Sequence, residues 1–296
     1  MQRRNFIATA AAGVGLAATG LTGRRRQERL APKTGYAPVN GLKLYYEVHG
    51  TGETLILLHG GLGASGMFAG ILPELSAKRQ VIAVDLQAHG RTGDIDRPMT
   101  FAAMASDIDG LLKHLGIAKA DVMGYSLGGG VAAHLAFAYP EAVRKLVIVS
   151  TAFRKDGWYP EINSGMSLVG AAAAETMKQT PMYQMYASIA PRPQDWPGLL
   201  DKIGELLRKE YDWSQNIAKI KSPALLVFGD ADAVRTAHAV QFFELLGGGK
   251  KDGGWDGSGI SNARLAILPG ATHYNIFNAP ALAAATAGFL EGETTR

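Results

Sequence analysis

Six short, unbroken apolar runs restrict the fold more than any other feature: Leu55 to Leu58, Val81 to Val84, Val122 to Met123, Leu146 to Val149, Ala224 to Phe228 and Leu265 to Leu268. A strand with one wet face alternates apolar and polar side chains, whereas a strand covered on both faces leaves no position for a polar one. Such runs are what a buried parallel sheet requires. Between most of them lie helical patterns, clearest in Phe101, Met104, Ile108, Leu111, Leu112 and Leu115, with Thr100 placed to cap the first turn. Strands alternating with helices predict an α/β fold with a mostly parallel central sheet and helices on both faces. Ahead of the series, Leu42, Leu44 and Tyr46 alternate with Lys43, Tyr45 and Glu47, the pattern of an edge hairpin with one wet face.

The series has one gap too long for a crossover. Residues 151–218 hold no buried-strand run but many helix formers and large apolar side chains, among them Phe153, Trp158, Met166, Met185, Tyr186 and Trp196. An insertion of this length between core strands reads as a mainly helical lid, with most of these aromatics forming its own small core. A second insertion, 247–262, carries Gly247-Gly248-Gly249, Gly253-Gly254, Trp255 and Gly259. So much glycine holds neither helix nor strand, and the segment reads as a mobile surface loop. It lacks the flanking strand and the Lys-Ser/Thr pair of a phosphate loop.

The formal net charge of +4 belongs to the first 30 residues, where six arginines face Glu28 alone. The body, residues 31–296, is then close to neutral, which speaks against a nucleic-acid partner. In the leader, Arg3-Arg4-Asn5-Phe6-Ile7 runs into a bland apolar stretch from Ala8 to Leu21. Its form is that of a twin-arginine export signal, too short and too rich in glycine for a stable membrane span. The expectation is an exported, periplasmic protein that loses roughly its first 20 to 30 residues. Cysteine is absent, so thiolate metal sites and disulfides are excluded, and no His or carboxylate grouping has metal-ligand spacing. Neither metal nor cofactor is expected.

Gly124-Tyr125-Ser126-Leu127-Gly128 stands directly between the strand run at Val122 and a helical segment, Gly129 to Tyr139. A serine on a tight strand-to-helix turn sits in strained backbone, and glycine on either side avoids collisions with neighbouring chain. The turn lifts the hydroxyl clear of the sheet and sets it at a helix N-terminus, where developing negative charge is favoured. His59-Gly60-Gly61-Leu62-Gly63 follows the run Leu55 to Leu58. Acyl transfer needs two N–H donors aimed at an oxyanion, and Gly61 and Leu127, the residue after the serine, are the candidates.

Together with Asp85-Leu86-Gln87-Ala88-His89-Gly90-Arg91, Gly229-Asp230-Ala231-Asp232 and Gly270-Ala271-Thr272-His273, these motifs occur in an order and spacing that resemble the α/β-hydrolase superfamily. The similarity covers roughly 42–290 and is greatest to the bacterial branch of carboxylesterases, lactonases and cofactor-free haloperoxidase-like enzymes. It implies the α/β-hydrolase fold with Ser126 as nucleophile, His273 as base and Asp232 as the acid that orients the base. The residues agree, because Asp232 and His273 each lie just beyond a buried run, at the sheet edge where Ser126 stands. Asp230, on the same turn, and Asp156, after the run Leu146 to Val149, are the competing acids. His49, His89, His114, His134 and His238 are read as structural, with His89 shaping the loop after Val84.

The reaction so implied is hydrolysis of a small, hydrophobic carboxylic ester or lactone through an acyl-serine. Tyr125, Trp158 and Tyr186 are the candidate pocket walls, since an aromatic, Met-rich lid suits an apolar group. Two rivals use the same residues: a perhydrolase in which hydrogen peroxide replaces water, and a slow-turnover binding protein that keeps the fold. Serine at the nucleophile position argues against the dehalogenase and epoxide hydrolase branches, whose covalent step uses a carboxylate.

Overall fold

A computed structural model describes residues 31–292. The export signal read at residues 1–30 lies outside the described residues. Within them the chain forms β1 (Lys33–Val39), β2 (Leu42–His49), β3 (Glu53–Leu58), α1 (Leu72–Leu75), β4 (Arg79–Val84), α2 (Phe101–His114), β5 (Ala120–Tyr125), α3 (Leu127–Ala138) and β6 (Val143–Val149). A helical segment follows: α4 (Pro160–Ser167), α5 (Ala174–Met177), α6 (Pro181–Ile189), α7 (Trp196–Arg208) and α8 (Ser214–Ile217). The chain ends with β7 (Ala224–Ala231), α9 (Thr236–Leu245), β8 (Ala263–Thr272) and α10 (Pro280–Glu291).

Among the described residues, eight strands form one sheet in the order β1-β2-β4-β3-β5-β6-β7-β8. Only the hairpin β1–β2 and the β2–β4 pair are antiparallel; from β4 to β8 neighbours run parallel. All six apolar runs became strands, and their side chains divide by twos between the faces. Ile56, Leu58, Ile82, Val84, Leu146, Ile148, Leu226 and Phe228 meet α2, α3 and α9. Leu55, Leu57, Val81, Ala83, Val147, Val149, Leu225 and Val227 meet α1 and α10. Alternation puts successive residues on opposite faces, so covering both faces demands the unbroken runs. Thr100 caps α2 as expected, its Oγ1 accepting the Ala103 N–H at 3.0 Å.

The hairpin sits at the sheet edge with one wet face, where Tyr36, Pro38 and Lys43 are exposed and Tyr45 is the exception. Tyr45 is buried by the Tyr36 ring and by the Arg91 guanidinium, 4.8 Å above its ring centre. Its partner β1, which includes Pro38, is the edge strand, a position where a missing N–H does no harm.

The stretch between β6 and β7 is mainly helical, with no strand beyond the single bridges Arg154–Asp212 and Trp158–Val234. Its longest helix, α7, buries Trp196, Leu199, Leu200, Ile203 and Leu206, with Trp196 packed on Tyr183 and Tyr186 of α6. Lys202, next to Ile203, points the other way. Its ammonium donates to the Ile95 and Arg97 carbonyls at 2.6 and 2.9 Å and pairs with Asp94 at 2.7 Å, fastening α7 to the loop after β4. The glycine-rich segment 247–262 contains turns and bends only, and displays Trp255 fully to solvent. Among the described residues no helix is long and apolar enough to cross a membrane.

Candidate active site

Ser126 joins β5 to α3 with φ 53° and ψ −114°, left-handed backbone that a residue with a Cβ adopts only under constraint. Three contacts impose it. Its N–H donates to Val149 O at 2.9 Å, its own carbonyl accepts from Gly129 N–H at 3.0 Å, and the Thr151 hydroxyl reaches the same carbonyl at 2.9 Å. The flanking glycines are sterically required: a Cβ on Gly124 would meet the carbonyl of Gly128, and one on Gly128 would meet the carbonyl of Leu58. Gly124→Ala is therefore expected to lower the thermal midpoint by more than 10 °C or prevent folding, since neither carbonyl can retreat without breaking the turn; a melt unchanged from wild type would contradict this.

Ser126 Oγ lies 3.1 Å from His273 Nε2, and His273 Nδ1 lies 3.1 Å from Asp232 Oδ1. The three side chains come from positions up to 147 residues apart. A bulge delivers the imidazole: Gly229 pairs with Leu268 and Ala231 with Thr272, so β8 spends two extra residues around Gly270, at φ 68°, before reaching His273. Tyr125 secures the same loop from beneath, its hydroxyl donating to His273 O at 2.6 Å.

Asp232 is buried and fully hydrogen-bonded. Burial alone would raise its pKa, but the hydrogen bond and charge of His273, the Ser150 hydroxyl and the Gly229 N–H outweigh that and hold it below the usual carboxylate range. Asp232 is thus an anion beside the imidazole. The competing acids lie elsewhere. Asp230 is exposed at the end of β7 and accepts the Gly270 N–H at 2.9 Å from the bulge of the neighbouring β8, not from its own loop. Asp156 is paired with Arg154 Nε at 2.6 Å on the surface.

The turn after β3 stands against the start of α3, where Leu127 N–H has no helical acceptor. A Cβ built on Gly61 would sit 4.0 Å from Leu127 Cβ, so the two candidate donors are neighbours. His59 fixes the intervening peptide. Its Nε2 accepts the Leu86 N–H at 3.0 Å, which leaves the proton on Nδ1 to bond Gly60 O at 2.7 Å. Because Gly60 C=O and Gly61 N–H belong to one planar peptide, holding the first sets the direction of the second. Burial pushes the His59 pKa down to about 4, keeping the ring in the neutral form this arrangement needs.

Of the candidate pocket residues, Trp158 is beside the site, its ring edge-on to His273 at 5.5 Å with Nε1 bonded to Tyr211 Oη at 2.8 Å. Tyr125 requires correction. Its side chain packs with Phe277 on the α1/α10 face, behind His273, because a strand residue next to Ser126 points to the opposite side of the sheet. Tyr186 is also misassigned as a wall: it packs on Trp196 at 5.2 Å in the core of the helical segment. Two residues near the site escaped the sequence reading, Ile203 from α7, 3.7 Å from where a Gly61 Cβ would be, and the exposed Tyr274, 5.5 Å from His273. Their signals, an apolar position on an amphipathic helix and an aromatic beside a motif histidine, have no address without the fold.

Among the described residues no group of three His, Asp or Glu side chains could hold a metal ion.

Residues 53–180 match a family model described as the alpha/beta hydrolase fold. A protein of Azorhizobium caulinodans named for carbamate hydrolysis, RutD, is 31% identical over 216 residues, covering 67% of this chain and 81% of that one. The pimeloyl-[acyl-carrier protein] methyl ester esterase of Neisseria meningitidis is 29% identical over 261 residues, covering 81% and 93%. Among solved structures, carboxylesterase CesB from Bacillus subtilis superposes with a TM-score of 0.68 at 21% identity, over 89% of this chain and 93% of that one. The enol-lactonase from Burkholderia xenovorans gives 0.67 at 24%, over 87% and 100%. With its sheet order, its strained serine turn and these likenesses, the chain belongs to the α/β-hydrolase family.

Proposed function

We propose that the protein is a serine hydrolase that cleaves a small, hydrophobic carboxylic ester or lactone through an acyl-enzyme on Ser126. The observation that carries this reading is the continuous hydrogen-bonded chain from Ser126 Oγ through His273 to the buried Asp232 anion. Neutral imidazole takes the Ser126 proton at Nε2 as Oγ attacks the substrate carbonyl, and Asp232 stabilises the imidazolium that forms. The tetrahedral oxyanion receives hydrogen bonds from the Gly61 and Leu127 N–H groups, and the positive end of α3 adds to them. Protonated His273 then passes its proton to the leaving oxygen, releasing the alcohol, or opening the ring of a lactone. In the second half, His273 takes a proton from water, whose oxygen attacks the acyl carbon; the acyl–Oγ bond breaks, the carboxylic acid leaves, and His273 returns the proton to Ser126 Oγ.

The helical segment 151–218 acts as a lid, with Trp158 and Ile203 giving the site apolar walls, and the esterase and lactonase among the relatives favour ester-type substrates. The twin-arginine form of the leader, Arg3-Arg4-Asn5-Phe6-Ile7, supports a reaction outside the cytoplasm. A fluorophosphonate tests the chemistry without knowledge of the substrate: it should form one covalent adduct per chain, located at Ser126 by mass spectrometry and lost in Ser126→Ala. A panel of 4-nitrophenyl esters should show turnover falling as the acyl chain becomes longer than the pocket. Adduct formation elsewhere, or equal labelling of Ser126→Ala, would overturn the assignment. Peroxyacid formation faster than ester hydrolysis would replace it with the perhydrolase.

A further inference from the structure

Ser150 follows β6 directly and adopts φ 51°, a left-handed conformation on a residue with no glycine freedom. Nothing about a turn demands serine there, and such backbone persists where a side chain gains by it. The gain is visible in its contacts. The Ser150 hydroxyl donates to Asp232 Oδ2 at 2.5 Å, with both residues buried, and the Ser150 N–H donates to Val227 O at 2.9 Å, tying the turn to β7. Asp232 Oδ1 is left to face His273 Nδ1. A carboxylate with one interaction could rotate and offer either oxygen. Here Ser150 and the Gly229 N–H, at 3.0 Å, claim Oδ2 together, while Oδ1 accepts the Val234 N–H alone, at 3.2 Å, and keeps a lone pair for the imidazole. The next residue works on the other end of the same chain, because the Thr151 hydroxyl reaches the Ser126 carbonyl and stands where a Cβ on Gly129 would be.

We propose that Ser150 is a positioning residue of the active site, fixing the Asp232 carboxylate so that His273 is held with its proton on Nδ1 and Nε2 open toward Ser126. The role rests on the serine hydrolase reading given above. A hydroxyl that merely filled space would behave differently from one that acts through Asp232, and Ser150→Gly separates the two. Glycine accepts φ 51° without strain, so the variant keeps the backbone conformation while lacking the hydroxyl, and circular dichroism confirms its fold. With 4-nitrophenyl acetate as probe, Ser150→Gly should lower kcat about 10- to 100-fold and leave KM within about twofold, because the loss falls on the charged transition state and not on substrate binding. In an Asp232→Asn background the same change should cost less than about threefold, since the group through which Ser150 acts is already gone. A second readout needs no turnover: the downfield proton resonance of His273 Nδ1–H should shift in Ser150→Gly. Wild-type kcat in folded Ser150→Gly, or full additivity with Asp232→Asn, would overturn the proposal. If the wild type neither hydrolyses the ester nor takes the fluorophosphonate, the hydrolase reading fails, and the resonance still decides. Unchanged in Ser150→Gly, it would show that the hydroxyl does not act on the Asp232–His273 pair.

Discussion

Asp232→Asn should cost about 10^4-fold in kcat on 4-nitrophenyl acetate while the protein remains folded. The size follows from how an amide must sit in this pocket. Two donors, Ser150 Oγ and Gly229 N–H, point at the position of Oδ2 and only the longer Val234 N–H contact at that of Oδ1, so the amide oxygen of asparagine is drawn to the first and its NH2 is turned toward His273 Nδ1. Nδ1 must then accept, its proton moves to Nε2, and the imidazole can no longer take the proton from Ser126. Asp230→Asn leaves an oxygen able to accept the Gly270 N–H, so turnover should stay within a few-fold of wild type. Asp156→Asn removes only a surface ion pair with Arg154, a contact worth at most ~1 kcal/mol, and should be close to silent. Measuring kcat for all three after confirming their folding by circular dichroism decides the matter. A larger loss at Asp230 or Asp156 than at Asp232 would assign the acid to the wrong residue.

Mild acid should destabilise the protein well above the pH at which carboxylates titrate. Burial pushes His59 down to about 4, and burial with the neighbouring His59 ring pushes His89 to about 3. Both histidines are held neutral in the folded state, whereas in the unfolded chain they titrate at ~6.5. Between those values the unfolded state binds protons that the folded state refuses, so stability is fully present above pH ~6.5 and is lost as pH falls toward 4. At pH 5 the cost is about 2 kcal/mol for each of the two, a large share of the ~5–15 kcal/mol that holds a typical domain. His134 and His238, also lowered to about 4 mainly by burial, act in the same direction. Urea unfolding at pH 7.5 and pH 5.0 measures the effect, and the midpoint should drop by at least 1 M. Equal midpoints would mean that these rings are charged in the native state.

The strands were legible because burial on both faces writes itself into composition: nothing polar survives inside Leu55 to Leu58 or Leu146 to Val149. The serine turn was legible for a related reason, since only glycine fits where backbone carbonyls close in on Gly124 and Gly128. β1 left no such trace. With Gly35 and Pro38 among its seven residues, and mostly wet, it is defined by pairing with β2 rather than by its own pattern. Side-chain direction was the second limit. Tyr125 and Tyr186 are aromatics in the right neighbourhoods, yet one points beneath the sheet and the other into the helical segment, and neither fact is encoded in residue type. Alternation could not choose between Asp230 and Asp232, both of which point the same way along an extended chain. The β8 bulge and the exposure of Asp230 made the choice. Ser150 was invisible because its meaning lies in a positive φ and in a partner 82 residues away.

The position of His273 beyond the final strand has a consequence for how the protein is made. A ribosome completes the Ser126 turn first, the Asp232 turn about a hundred residues later, and β8 with its histidine last of the three. Until β8 pairs with β7, there is no group to accept the serine proton, and β7 is itself an unpaired edge. Under the mechanism proposed above, a chain released before β8 therefore carries a serine that cannot be activated. On the proposed serine hydrolase mechanism, the order of translation keeps such fragments from attacking esters and makes the pairing of β8 the step at which the site is completed.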